Sequence, residues 1–325
     1  MILEKEQIAG FVNGIDHFDY DGEWYRFYRF NQAQTVFYEG YNHGFWVKTR
    51  ATSGVNFDFT TDSSSFSFDY SVVNGSSRNF YYFDIYVDGV LSGHYGEQPM
   101  WIMKGTVKTA LPAGEHRVTV WFPNLASASV KNLTLDDGAT CTPVEKKMKM
   151  ICWGDSISQG YDAVFPSLAY TNRLAQAFDA DMINQAIGGE VFVPPLLDGG
   201  LEFRPDVITV AYGTNDWSKC TREEFCANVD GFLSRLAAQY GKTAKVFILT
   251  PIWRGDRARV TKVGTFDEAV QYIADKTREY GLISVDGYDL VPHWYEFYSD
   301  QRLHPNDLGY GEYSRNLIAA IKEKL

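Results

Sequence analysis

Apolar and polar positions alternate through the first part of the chain. Val55-Asn56-Phe57-Asp58-Phe59-Thr60 and Ser65-Phe66-Ser67-Phe68-Asp69-Tyr70 carry a large apolar side chain at every second position. Phe83-Asp84-Ile85-Tyr86-Val87 and Arg117-Val118-Thr119-Val120-Trp121 repeat the pattern. A period of two sends alternate side chains to opposite faces of a pleated strand, so these segments predict half-buried strands. Asn74-Gly75, Asp88-Gly89 and Pro112-Ala113-Gly114-Glu115 separate them as turns. No long amphipathic helical pattern interrupts the series. Short strands at this spacing predict an all-β, jelly-roll-type sandwich over residues 1–143.

The period changes after Thr142-Pro143-Val144-Glu145-Lys146-Lys147, where a proline and a run of charges predict a boundary. Met148-Lys149-Met150-Ile151-Cys152-Trp153, Asp206-Val207-Ile208-Thr209-Val210-Ala211 and Ala244-Lys245-Val246-Phe247-Ile248-Leu249 are short apolar runs without alternation. Helical patterns at about 164–178, 221–240, 266–280 and 308–323 alternate with them. Continuous apolar strands alternating with helices predict a parallel sheet covered on both faces over residues 148–325.

Composition narrows the function classes. Aromatic residues make up 16% of the 325-residue chain, and 27 of them fall in residues 1–143, which agrees with a β-rich first half. With 41 acidic against 30 basic residues the formal charge is −11. Both halves share that acidity, which argues against nucleic-acid or anionic-membrane partners. No apolar run approaches the length of a membrane span, and the opening Met1-Ile2-Leu3-Glu4-Lys5-Glu6 lacks a leader pattern, so a cytoplasmic location is expected. Cys141, Cys152, Cys220 and Cys226 form no C-x-x-C pair and read as free thiols, so neither a disulfide framework nor a metal site is expected.

Sites in open parallel sheets lie beyond the C-terminal ends of the strands. Those ends read Gly154-Asp155-Ser156, Asn184-Gln185-Ala186-Ile187-Gly188-Gly189 and Gly213-Thr214-Asn215-Asp216; the last loop, before the final helix, reads Asp300-Gln301-Arg302-Leu303-His304-Pro305. Together they offer a hydroxyl, hydrogen-bond donors and an imidazole, the inventory of acyl transfer. Only His293 and His304 follow residue 143. His304 lies in a loop with acidic groups able to orient it, whereas His293 beside Trp294 reads as a packed ring. Gly241-Lys242-Thr243 is no P-loop, because Leu236 stands where the first glycine belongs.

These four segments, in this order, resemble the four blocks of the SGNH hydrolases (the GDSL esterase/lipase superfamily). The resemblance spans residues 148–325 and implies a flavodoxin-like α/β/α sandwich that needs no cofactor or metal. It implies Ser156 as nucleophile and His304 as base, with the N–H groups of Ser156 and Gly189 and the Asn215 side chain as an oxyanion hole. The family's last block is Asp-x-x-His, but Gln301 stands three residues before His304 and the acid, Asp300, four before. Either Asp300 still reaches the imidazole as the third member, or a backbone carbonyl orients His304 in a Ser–His dyad. Ala186 replaces a further glycine common in the second block.

A β-rich half followed by an SGNH half also resembles the two-domain carbohydrate esterases of family 2 type. That implies removal of O-acetyl groups from sugars or oligosaccharides by a carboxylic ester hydrolase. Trp217, Trp253 and Arg254 are candidates for lining the cleft, with core packing as the alternative. Two other functions stand against this one: a lipase or thioesterase for longer acyl chains, and a catalytically dead glycan-binding protein.

Overall fold

A computed structural model describes residues 1–325. The aromatic half forms two antiparallel sheets. One orders its strands Val12–Asn13, Asn56–Thr61, His116–Trp121, Tyr81–Val87 and Val90–Glu97, with Thr142–Pro143 also paired to Asn56–Thr61. The other runs His17–Tyr20, Tyr25–Tyr28, Ala126–Thr134, Ser65–Asn74 and Lys104–Ala110. The alternating positions meet between them: Phe57, Phe59, Phe66, Phe68, Phe83, Val118 and Val120 are all buried in one core. Phe57 packs edge-on against Phe122 with ring centroids 4.8 Å apart, a geometry that aromatic quadrupoles favour.

Two expectations for this half need correction. Asn56–Thr61 is buried on both faces, not half-exposed, because its outer face lies against the α/β half. There Asp58, buried beneath the strand, pairs with Arg117 at 2.6 Å and with Lys146, and Arg117 reaches on to Asp179. Trp121 leaves the sandwich core for that of the α/β half. Nor is the half free of helices: Lys5–Phe11, Gln32–Tyr41 and His43–Thr49 are helical. Asn31 and Asn42 cap the last two, accepting from Gln34 and Phe45 N–H.

From Met148 the chain builds a five-stranded parallel sheet. Its order is Ala180–Asn184, Met148–Gly154, Val207–Ala211, Lys245–Leu249, Ile283–Val285, that is 2-1-3-4-5 in chain order, the flavodoxin-like arrangement. Helices Tyr170–Phe178, Arg222–Tyr240, Phe266–Glu279 and Asp307–Lys324 cover it, the last three capped by Thr221, Thr265 and Asn306. The first starts later than its apolar pattern because Pro166 opens a separate 3-10 turn, Pro166–Leu168. The edge strand Ile283–Val285 and the short helix Thr214–Lys219 are additions to the predicted set. No helix is long and apolar enough to cross a membrane.

Candidate active site

The four strand-end segments converge. The strand Met148–Gly154 stops at Asp155, whose Oδ1 caps the short helix Ser156–Gln159 by accepting the Ile157 N–H at 3.0 Å. Gly160, at φ +98°, ends that helix within one turn, a left-handed conformation that suits glycine. Ser156 is thereby set at the tip of the first crossover, and its Oγ lies 3.0 Å from His304 Nε2.

His304 Nδ1 lies 2.9 Å from Asp300 Oδ2. Gln301, the extra residue in the loop, takes φ +54°. That tight turn lets Asp300 Oδ1 accept the N–H groups of Arg302, Leu303 and His304 at 3.0, 2.7 and 3.1 Å. Burial pushes the Asp300 carboxyl up, but the His304 ring and these N–H groups outweigh it and hold it well below the usual carboxylate range. A side-chain carboxylate, not a backbone carbonyl, therefore faces Nδ1. Asp162 adds a second carboxylate 4.0 Å from the same nitrogen, itself clamped by Arg78 and by Ser299 Oγ at 2.5 Å.

The loop after Ala180–Asn184 leaves the neighbouring strand at the same sheet edge. From Gln185 to Glu190 the backbone N–H groups find acceptors in Cys152 O, Asn184 Oδ1, Gly154 O, Gln159 Oε1 and Ile187 O, with one exception. The exception is Gly189, which sits at φ +90° with its N–H unengaged. The Ser156 N–H is likewise without an acceptor. Asn215, in the first turn of the helix Thr214–Lys219, donates one amide hydrogen to Asp155 Oδ2 at 3.2 Å and keeps the other free. Two vacant backbone donors and one side-chain donor thus lie at the strand ends of the same sheet edge as the Ser156 hydroxyl.

Three buried carboxyls lie beneath these loops without a cation partner. Burial pushes Asp155 up to about 6, against the pull of the Ile157 N–H. Burial likewise lifts Asp216 to about 7, although it accepts the Phe192 and Gly213 N–H groups at 3.0 and 3.1 Å. Glu190 is raised by burial to about 8, opposed by the Tyr38 hydroxyl and by Tyr212 at 2.8 Å. No group of three or more His, Cys, Asp or Glu side chains is arranged to hold a metal ion.

The cleft candidates are placed elsewhere. Trp217 is fully buried, with its indole N–H on Gly264 O at 3.0 Å and its ring edge-on to Phe266. Arg254 is 3% exposed and is spent on Thr214 O, Thr214 Oγ1 and Asp256. Trp253 is 9% exposed and packs among His293, Tyr295 and Tyr298. All three are packing residues. The rim is built instead from Lys48, Arg78, Asp162 and Lys219, the first two from the sandwich half. No sequence pattern marks Lys48 or Arg78 as neighbours of the site.

Residues 152–311 match the GDSL-like Lipase/Acylhydrolase family. No curated protein matches the sequence. Among solved structures, the chain resembles the salicylyl-acyltransferase SsfX3 from a tetracycline biosynthetic pathway, with a TM-score of 0.80 at 21% identity over 96% of this chain and 94% of that one. A putative GDSL-like lipase from Bacteroides ovatus gives 0.74 at 18% identity, again over 96% and 94%. A family two carbohydrate esterase from Clostridium thermocellum gives 0.62 at 19% identity, over 84% and 93%. These TM-scores show a shared fold, sandwich half included. The family match covers residues 152–311, so the α/β half carries the GDSL, or SGNH, hydrolase pattern, while the sandwich half shares the fold of these structures.

Proposed function

We propose that the protein is a serine esterase that removes small O-acyl groups, foremost acetyl, from sugars or oligosaccharides. The observation that carries this reading is the pair of unengaged N–H groups on Ser156 and Gly189, at the same sheet edge as the Asn215 amide and a hydroxyl 3.0 Å from an imidazole. Ser156 Oγ attacks the ester carbonyl carbon while His304 Nε2 takes its proton, and Asp300 stabilises the imidazolium that forms. The carbonyl oxygen, now negative, receives hydrogen bonds from the two backbone N–H groups and Asn215. Collapse breaks the bond to the alcohol oxygen, which leaves with the proton from His304. Water, activated by the same imidazole, then cleaves the acyl-enzyme and frees the acid.

The polar rim supports a hydroxylated substrate. A long acyl chain laid over Lys48, Lys219, Arg78 and Asp162 would desolvate charged groups without replacing their partners. The family two carbohydrate esterase likeness over both halves supports the same substrate class. A second reading is favoured by the salicylyl-acyltransferase likeness, which spans 96% of the chain: an alcohol other than water takes the acyl group from Ser156.

Acetate release from acetylated xylan and mannan oligosaccharides tests the first reading, alongside a 4-nitrophenyl ester series from acetyl to octanoyl. Acetyl esters should turn over fastest, and a rate that climbs with chain length would point to a lipase. Excess alcohol acceptor separates the second reading, because a transferase diverts acyl groups into new ester rather than free acid. A fluorophosphonate that leaves Ser156 unlabelled would leave only the dead glycan-binding protein.

A further inference from the structure

The loop that carries Gly189 is held from the sandwich half as well as from its own. Arg29, fully buried, donates to Asn184 O and, at 3.3 Å, to Ala186 O. The Gln34 and Gln185 amides pair at 2.9–3.0 Å, and the Tyr38 hydroxyl donates to the Glu190 carboxyl. Lys48, in the helix His43–Thr49, donates from Nζ to Gly188 O.

This last contact falls on one particular peptide unit. The Gly188 carbonyl and the Gly189 N–H belong to the same planar trans peptide and therefore point in opposite directions. An ammonium seated on the oxygen fixes which way the N–H faces. It also draws electron density toward the oxygen, which strengthens the N–H as a donor in a site of low dielectric. The Lys48 ammonium forms no ion pair with a carboxylate, so no anion competes with that carbonyl for it. Gly189 itself cannot be replaced to the same end. Its φ of +90° disfavours a side chain, and a Cβ there would stand 4.0 Å from Lys48 Nζ, 3.4 Å from Lys219 Nζ and 3.8 Å from the Phe45 ring. Lys219 donates to Gly189 O, the carbonyl of the following peptide, whose N–H is already bonded to Ile187 O.

We infer that Lys48 is a positioning residue of the oxyanion hole, orienting and polarising the Gly188–Gly189 peptide from the sandwich half. The inference rests on the proposed roles of Ser156 and Gly189. It makes the sandwich a working part of the catalytic apparatus rather than an appended module.

The test compares wild type with Lys48→Met, Lys48→Gln, Lys48→Arg and Lys219→Met. It reads kcat and KM on 4-nitrophenyl acetate, the rate of Ser156 labelling by a fluorophosphonate, and Tm. Lys48→Met should lower kcat and the labelling rate about 10-fold with KM within about twofold, an effect smaller than loss of a direct oxyanion donor. Lys48→Arg should restore most of the loss. Lys48→Gln, which keeps an N–H donor without the charge, should fall between. Lys219→Met should do less than Lys48→Met. An unchanged kcat, a raised KM alone, or an equal loss in Lys219→Met overturns the inference while leaving Ser156 as nucleophile. Wild-type protein that neither labels nor turns over ester overturns the esterase reading and this inference together. Should Lys48→Met lower Tm, the order of Arg, Gln and wild type still decides.

Discussion

The two halves bury carboxylates in different ways. On the sandwich side Asp58 is fully buried, and it meets Arg117 Nε and Nη2 at 2.8 and 2.6 Å and Lys146 as well. Asp84, also fully buried, meets His94 Nδ1 at 2.7 Å and the Ser167 N–H at 2.8 Å. Beneath the catalytic loops, Asp155, Glu190 and Asp216 are no less buried, yet they are held only by N–H and O–H donors. The Arg117 and Lys146 cations that meet on Asp58 tie the two surfaces together. A set of neutral donors leaves the acid protonatable near neutrality, with pKa values raised by burial to about 6, 8 and 7. The first arrangement joins the halves; the second shapes loops that must present free donors to a substrate. Strongly perturbed groups gather at working sites for this reason.

The comparison breaks first at Ser156. Ser156→Ala should reduce ester turnover at least about 10⁴-fold with little change in Tm, since the hydroxyl supports no packing. Full activity in this variant would remove the catalytic meaning of everything beneath the loops. Asp300→Asn should follow, at about 10²–10⁴-fold, because an amide facing Nδ1 favours the tautomer that leaves Nε2 protonated and unable to accept from Ser156. A loss under about 5-fold would mean that the three N–H groups on Asp300 matter more than its contact with the ring.

Much of this site was legible because the α/β half announces its strand ends. Ser156, Gly189, Asn215 and His304 each follow a short apolar run or precede the last helix, so one-dimensional position already places them on one edge. The Asp300 spacing left two alternatives, and only the φ of +54° at Gln301 shows how the inserted residue brings the carboxylate back to the ring. Trp217, Trp253 and Arg254 misled because an aromatic or a cation just past a strand end looks the same whether it faces the cleft or the core. The helices Gln32–Tyr41 and His43–Thr49 escaped because each is too short to show a periodic stripe, although Asn31 with Gln34 forms a capping box. Arg29, Tyr38 and Lys48 carry no local signal at all. Their partners in the α/β half lie at least 140 residues away in sequence, and only the packing of the two halves brings them together.

On the ion-paired side, Asp58→Asn should lower Tm by about 5 °C, since it leaves Arg117 and Lys146 without their shared acid at a buried seam. Esterase activity at 25 °C should stay within about twofold, because Asp58 contacts none of the catalytic loops. A large loss of activity without a change in Tm would erase the distinction between joining and shaping carboxylates.

The smallest effect sharpens the other side. Glu190 is raised by burial from 4.5 to about 8, so between those values the folded protein retains a proton that the unfolded chain has released. The folded state then binds more protons than the unfolded one, and stability falls as pH rises through that window, levelling off above about 8. Glu190→Gln removes the titration while keeping one oxygen to accept from one tyrosine hydroxyl and an N–H to donate to the other hydroxyl's oxygen. Its Tm should match wild type near pH 5 and exceed it by about 3 °C at pH 8. A difference that stays constant with pH would show Glu190 ionised throughout. The raised value requires the opposite, because burial without a cation partner, beside Asp155 and Asp216, favours the neutral acid.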